Sequence, residues 1–316
     1  MIITGKKFSK PEMSRVKNGD IVMPEKRIVE KERLDQILVK MYPEYNRSTL
    51  QNFIRSGYVM VNDKVIKKPN TEIIKSITEN DEKEVYPFEI KLNVPKKKEL
   101  KLPKEDIIYE DDNVLVINKP AGLLSMAKGE FTTEPTLEDY GLLVHRLDRD
   151  TSGVVILAKN EATQKYLRNQ FQERKTHKTY YAITTGIPKL KEAKIDLPIA
   201  RNLKHPTTFM VDPKGKNAVT YYKVLEEAGT ENLALLELKP ITGRTHQLRV
   251  HLKYIGCPIL GDKVYNQEKK ATRLFLHAGS LEITIPGEDS GKRMIFTAPL
   301  PEEFATKMGT AEKAAE

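Results

Sequence analysis

The chain has 316 residues, enough for one large domain and a small one. Charged residues make up 31% and hydrophobic ones 39%, and no apolar run reaches membrane-spanning length; this excludes disordered and helix-spanning membrane classes. The net charge of +9 suits a polyanionic partner or plain solubility, and the single Cys257 excludes an internal disulfide and a cysteine-built zinc site.

Met1 to Lys10 lacks the apolar core of a signal peptide, so a cytoplasmic location is expected. Residues 1–31 carry no clear period beyond a short β-prone pair, Ile28–Val29, and are read as an extension. From Glu32 the pattern sharpens. Leu34, Ile37, Leu38 and Met41 follow helical spacing, and Pro43 stops that helix. Ser48 is expected to open a second helix with Gln51 in a capping box, Leu50, Phe53 and Ile54 on its apolar face, and Gly57 as its stop. Tyr58–Val61 and Lys64–Ile66 flank Asn62–Asp63, which tolerate positive φ and predict a tight hairpin. Basic residues decorate this unit, which on charge alone fits a solvated face as well as an RNA surface.

Residues 32–90 resemble an S4 RNA-binding domain, through Arg33-Leu34-Asp35, Arg47-Ser48, Ile54-Arg55-Ser56-Gly57 and Val59-Met60-Val61-Asn62. The resemblance implies that Arg33, Arg47, Arg55 and Lys64 face structured RNA. After Pro69 the likeness fades, and Thr71–Glu84 is more polar than a strand usually is. Residues 91–104, with Pro95, three lysines and Pro103, have the composition of an exposed linker.

A second domain is expected over residues 105–305. Strands are predicted at Ile107–Tyr109 and Val114–Lys119, then a polar, mobile loop from Ser125 to Tyr140. Val154–Ala158 is a short, uninterrupted apolar run, as in a strand buried on both faces. Asn160 caps a helix with Ala162, Tyr166, Leu167 and Phe171 inward. Strands follow at Thr176–Thr185, Ala218–Leu225, Leu233–Leu238, Leu274–Ile285 and Met294–Thr297. A helix through Leu248, Leu252 and Ile255 ends at Gly256 and Pro258. Strands outnumber helices and lack regular helical crossovers, so the domain is α+β with a mixed, mainly antiparallel sheet. Residues 306–316 read as a frayed tail.

The chemistry concentrates in His145-Arg146-Leu147-Asp148-Arg149-Asp150-Thr151-Ser152-Gly153, between two apolar runs. A turn whose Asp and Thr side chains bond the backbone accounts for Thr151 to Gly153, but not for the histidine, arginines and carboxylates beside them. Asp148, next to a buried strand, is the leading candidate, and an adjacent arginine would keep it charged. Arg249 is that arginine; it sits with His246 at i, i+3 on the helix face opposite the apolar stripe, after Gly243-Arg244-Thr245-His246-Gln247. His246 and His251 are five apart and point to different sides, no His-Glu-x-x-His spacing occurs, and no phosphate loop or dinucleotide fingerprint appears, so no metal and no cofactor are expected.

These residues resemble the RluA-type pseudouridine synthases. The likeness is carried by His145 to Gly153, Lys119-Pro120-Ala121-Gly122, Lys178-x-Tyr180-x-Ala182, Gly243 to Leu252, Gly256 to Asp262 and Leu274 to Ala278, in order from about Ile107 to Phe304. It implies an isomerase whose catalytic aspartate is Asp148, paired with Arg249, with Tyr180 stacking on the target base and Arg146 entering the RNA where the uridine leaves. His145, Lys119, Arg244, His246 and Gln247 would line the RNA site. An S4-like domain ahead of such a domain implies large-subunit ribosomal RNA as substrate, with transfer RNA as the alternative, and a monomer is expected. Ser125-Met126-Ala127 and Tyr140-Gly141-Leu142-Leu143 depart from the family pattern. Uridine isomerisation breaks the glycosidic bond, turns the base and rebuilds the bond through carbon. It needs a carboxylate, as nucleophile or base, and a base out of its stack. Two rivals remain: a non-catalytic ribosome-associated RNA-binding protein, and a magnesium-dependent aspartyl phosphatase suggested by Asp148-Arg149-Asp150-Thr151.

Overall fold

The computed structural model describes residues 15–17, 20–22, 27–78, 84–85, 89–94, 99, 101–127, 134–229, 231–266, 271–287 and 291–309. The chain divides into two compact units, Met1–Lys96 and Lys97–Glu316.

In the first unit, helices α1 (Leu34–Met41) and α2 (Arg47–Ser56) bury Leu34, Ile37, Leu38, Leu50, Phe53 and Ile54 against each other. The cap of α2 is Asn46, whose side chain accepts from Thr49 N at 2.9 Å; Ser48 lies inside the helix, and Gln51 is used elsewhere. An Asn before the first turn outcompetes a Ser within it because the cap needs extended backbone. The hairpin Val59–Val61 and Lys64–Ile66 turns on Asn62 and Asp63 at φ 48° and 60°, the two left-handed residues of a type I′ turn. Two expectations need correcting. Strand Arg27–Arg33 reaches back into the supposed extension and pairs along its whole length with Glu72–Thr78, a strand the polar sequence concealed. Ile90–Leu92 pairs with Val59–Val61, so the first residues assigned to the linker are sheet; residues 95–98 lie outside the described ones.

The second unit is a ten-stranded sheet: β1 (Ile107–Glu110), β2 (Val114–Lys119), β3 (Leu142–Leu143), β4 (Ser152–Ala158), β5 (His177–Thr185), β6 (Glu192–Asp196), β7 (Val219–Ala228), β8 (Leu233–Pro240), β9 (Leu276–Ile285) and β10 (Lys292–Thr297). Its order is β6-β7-β8-β5-β9-β4-β2-β1, with β3 also on β4 and β10 also on β9. All pairings are antiparallel except β4 with β9, which bond only at Ser152 with His277 and Gly153 with Ala278. Beyond that point the two strands part, and the sheet forks. Gly153 makes the join possible: its φ is 113°, and a Cβ there would lie 2.2 Å from the Ala278 carbonyl oxygen.

Inside the fork, Ile156 N donates to the His145 ring at 3.1 Å. On β9, the Gln170 side chain bonds both Thr284 N and Thr284 O. Gln170 comes from α3 (Glu161–Gln172), whose inward residues are Thr163, Leu167 and Gln170; Ala162 and Tyr166, expected inward, face solvent because the polar Gln170 holds a core position. Every residue of β4 is buried. The C-terminal helix α5 (Glu302–Met308) buries Phe304 and Met308, so the expected frayed tail begins no earlier than Gly309. The Ser125–Tyr140 segment is docked at both ends, with Ser125, Thr136 and Leu137 buried; residues 128–133 lie outside the described ones.

Candidate active site

The signature loop leaves β3 and enters β4 at the fork. Its backbone is clamped from below. Ser125 Oγ donates to Leu147 O at 2.8 Å and accepts from Leu147 N at 3.2 Å. Lys119 is fully buried, and its ammonium donates to the carbonyls of Pro120, Leu123 and Arg149 at 2.8–2.9 Å. Burial pulls that amine down to about 7, against the charges of Asp150 and Asp148. Lys119 is therefore a bolt beneath the loop and does not line an RNA site. The clamp holds Asp148 at the mouth of an open cleft of about 600 Å³, lined also by Arg146, Tyr180, Arg174, Lys178, Arg244 and Arg249.

Opposite the loop stands α4 (Gln247–Tyr254). The spacing suggested one apolar face and one solvent face, yet Gln247 through Leu252 are all buried. Its polar residues are spent on internal partners. Gln247 bonds Val219 O, Thr220 Oγ1, Thr242 Oγ1 and Arg244 N, so it braces the lead-in loop and has no free group for RNA. Arg249 divides its guanidinium. Nε and Nη2 hold both oxygens of buried Asp262 at 2.7 and 2.8 Å, and Nη1 reaches Asp148 Oδ2 at 3.1 Å. Burial opposes the charge on Arg249, but the Asp262 bonds and the charges of Asp262 and Asp148 outweigh it and raise its pKa. Asp262 also accepts from Val264 N and Tyr265 N, which with Arg249 hold its carboxyl below the usual range despite burial.

His246 sits at the helix N-terminus in the left-handed region, φ 57°. That backbone brings its Nδ1 within 2.8 Å of Tyr265 OH and its Nε2 to 3.8 Å from Asp148 Oδ2. Burial lowers its pKa against the pull of Asp148. Arg249 also lies over the Tyr265 ring, 5.1 Å from its centroid. Asp262 and Tyr265 were not assigned roles from sequence: Asp262 lies in the Gly256–Asp262 block, but nothing in spacing ties it to an arginine 13 positions earlier.

Tyr180 projects from β5 into the cleft; burial, then the charge of Asp148, pushes its hydroxyl above the ordinary range, so the ring stays neutral. His145 stacks on Phe171 at 4.6 Å and is spoken for by Ile156 N; burial, with the charge of Lys178, drives it down to about 3. It lines the cleft with Nε2 accepting from the backbone, which leaves the proton of the neutral ring on Nδ1. Arg146 is exposed at the rim with its guanidinium on the Met126 sulfur. Arg244 Nε donates to Asn217 O. Among the described residues no three His, Cys, Asp or Glu side chains converge as metal ligands, and no helix is long and apolar enough to cross a membrane.

In the first unit, Arg33 and Arg47 each place two bonds on the fully buried Asp35, which also accepts from Gln51. Their guanidiniums are about half exposed. Arg55 lies over Gln51 and Asn52 on the surface, and Lys64 is exposed on the hairpin.

Residues 113–254 match the RNA pseudouridylate synthase family and residues 32–73 match the S4 domain. The chain is 36% identical over 304 residues to an uncharacterized RNA pseudouridine synthase of Aquifex aeolicus, covering 87% of this chain and 92% of that protein. It is 36% identical over 297 residues to ribosomal large subunit pseudouridine synthase C of Rickettsia bellii, covering 86% and 95%. The large subunit synthase D of Haemophilus influenzae is 34% identical over 306 residues, covering 86% and 89%. Among solved structures, human RNA pseudouridylate synthase domain containing 4 superposes with a TM-score of 0.54 at 27% identity, covering 66% of this chain and 93% of that one.

Proposed function

This chain belongs to the RNA pseudouridylate synthase family, and from that premise we propose that it isomerises particular uridines of large-subunit ribosomal RNA through Asp148. The activity class, an isomerase, follows from the family and sets aside the phosphatase and non-catalytic readings. The ribosomal substrate rests on the relatives named synthase C and D and on the S4 match.

One observation carries the assignment of Asp148. Among the described residues it is the sole acidic side chain lining a cleft that also presents Arg146, Arg174, Lys178, Arg244 and Arg249. A polyanion is drawn into such a cleft, and its sugar–base junction meets one carboxylate. Arg249, anchored by Asp262, fixes one oxygen of that carboxylate and leaves the other to act. As nucleophile or as base, the carboxylate needs this same placement. The neutral Tyr180 ring offers a stacking platform for an unstacked uracil, and Arg146 at the rim is placed to fill the gap it leaves.

The test is mapping of pseudouridine by carbodiimide and primer extension on total RNA from cells lacking this gene, complemented with the parent or with Asp148→Asn. A parent-dependent stop in large-subunit ribosomal RNA that the variant fails to restore is expected. A stop confined to transfer RNA overturns the substrate, and a stop restored by the variant overturns the role of Asp148. Activity is expected to persist in excess EDTA.

A further inference from the structure

Lys178 stands two residues before Tyr180 on β5, and both side chains line the cleft. The strand keeps its alternation here. The irregularity in its pairing with β9 is taken up by Gly279, the extra residue between the partners of Thr179 and Tyr180. A side chain at 279 would run into the Tyr181 ring at 2.4 Å, so the glycine absorbs the bulge and leaves Lys178 and Tyr180 on one face.

The ammonium of Lys178 is electrostatically alone. Three neighbouring cations are held in place: Arg249 on two aspartates, Arg149 on Glu134, Lys119 on three carbonyls. Lys178 has no hydrogen-bond or ion-pair partner among the described residues. Burial alone lowers its pKa, with no acidic side chain to offset it. Its charge is felt by His145, which lines the same cleft. The protein thus holds a desolvated cation on the wall of its reaction cleft and supplies no counterion, an arrangement that is costly unless a ligand completes it.

We infer that Lys178 is a substrate-binding residue whose ammonium takes a non-bridging oxygen of the phosphate next to the target uridine. Two positions along a strand separate the side chains by roughly 6.5 Å. If the uracil lies on Tyr180, a cation that far along belongs to the sugar–phosphate and not to the base. The inference rests on the proposed reaction only for the identity of the nucleotide; binding of an RNA phosphate does not.

The probe is a short unmodified RNA carrying the mapped uridine, made with and without a single methylphosphonate at the phosphate on its 5′ or 3′ side. Binding to the parent, Lys178→Gln and Lys178→Arg is measured by titration over a range of KCl. Glutamine is expected to weaken binding roughly tenfold and to flatten the log–log salt slope by about 0.7, the share of one phosphate on a single strand; arginine keeps the slope. One methylphosphonate should weaken the parent and leave Lys178→Gln unchanged. Removing an uncompensated charge should not lower the melting temperature, which also certifies the fold of the glutamine variant. If it fails to fold, the lysine has a structural role and the inference is overturned. An unaltered slope, or equal sensitivity of parent and glutamine variant to both methylphosphonates, overturns it as well. These readouts need binding alone, so loss of product with an intact salt effect faults the reaction and not the phosphate contact.

Discussion

Two aspartates in this protein meet arginines, and they end in opposite conditions. Asp35 is fully buried and accepts five bonds from Arg33, Arg47 and Gln51, one on Oδ1 and four on Oδ2. Despite burial, those bonds hold its pKa at about 2. Asp148 keeps about a quarter of its side chain open to the cleft and receives one bond, from an arginine already committed to Asp262. The same pair of residue types makes a structural knot in one unit and an available carboxylate in the other. The difference lies in how many donors converge, and a third residue, Asp262, sets that number by consuming two of the three guanidinium contacts.

Asparagine at each position should break this comparison most visibly. Asp148→Asn is expected to abolish product while RNA affinity and melting temperature stay close to the parent's, since only one bond to a partly exposed group is altered. Asp35→Asn should do the reverse. It should cost about 3 kcal/mol, the low end for a broken buried pair because both guanidiniums reach solvent, and leave the single-turnover rate of folded protein unchanged. Denaturant melts and single-turnover assays of the two variants decide this; equal stability losses would erase the distinction.

Acid should separate the two units next. A group whose folded pKa is depressed contributes stability above its unfolded pKa and loses it as pH falls through the folded value. His145, down to about 3, and His277, down to about 4, are neutral in the fold. The unfolded chain protonates them near 6.5, so the second unit weakens from about pH 6.5 downward, by on the order of 1–2 kcal/mol per histidine at pH 5. Asp35 withdraws its share only between about pH 4 and 2. Hydrogen exchange at pH 5 should therefore show protection falling in β4 and β9 before α1 and α2. Loss in the opposite order would mean other groups govern acid stability.

The smallest effect concerns RNA. Lys64→Gln, at a cation free of Asp35, should lower RNA affinity a few-fold and flatten the salt slope by about 0.9. Arg47→Gln should act chiefly on the melting temperature. A salt-slope change as large for Arg47 as for Lys64 would show that its guanidinium also grips RNA.

Much of this was legible in the residues. The Asn62–Asp63 turn and the buried run of β4 follow from local pattern, because turn chemistry and strand burial leave a short-range signature; the Asp148–Arg249 pair, 101 positions apart, was legible through the family resemblance. What stayed hidden depends on contacts between distant segments. Thr71–Glu84 reads as polar, and only its partner strand reveals the strand within it. Lys119 and Gln247 have the chemistry of RNA ligands, yet each is consumed internally by groups that no spacing rule locates. Burial of α4 from Gln247 to Leu252 likewise comes from the strands and loops packed on it and not from its own period.

The fork at Gly153 has one more consequence. Where β4 and β9 part, β10 takes over the edge of β9 from Ser280 to Ile285, and β3 covers β4 only at Leu157 and Ala158. The stretch of β4 backbone between is an edge of the kind that invites a stray strand from another molecule. Here the imidazole of His145 occupies Ile156 N, a side chain standing in for an absent neighbour. Shortening it to alanine would leave an adhesive edge uncovered, and the resulting fault would be self-association during folding.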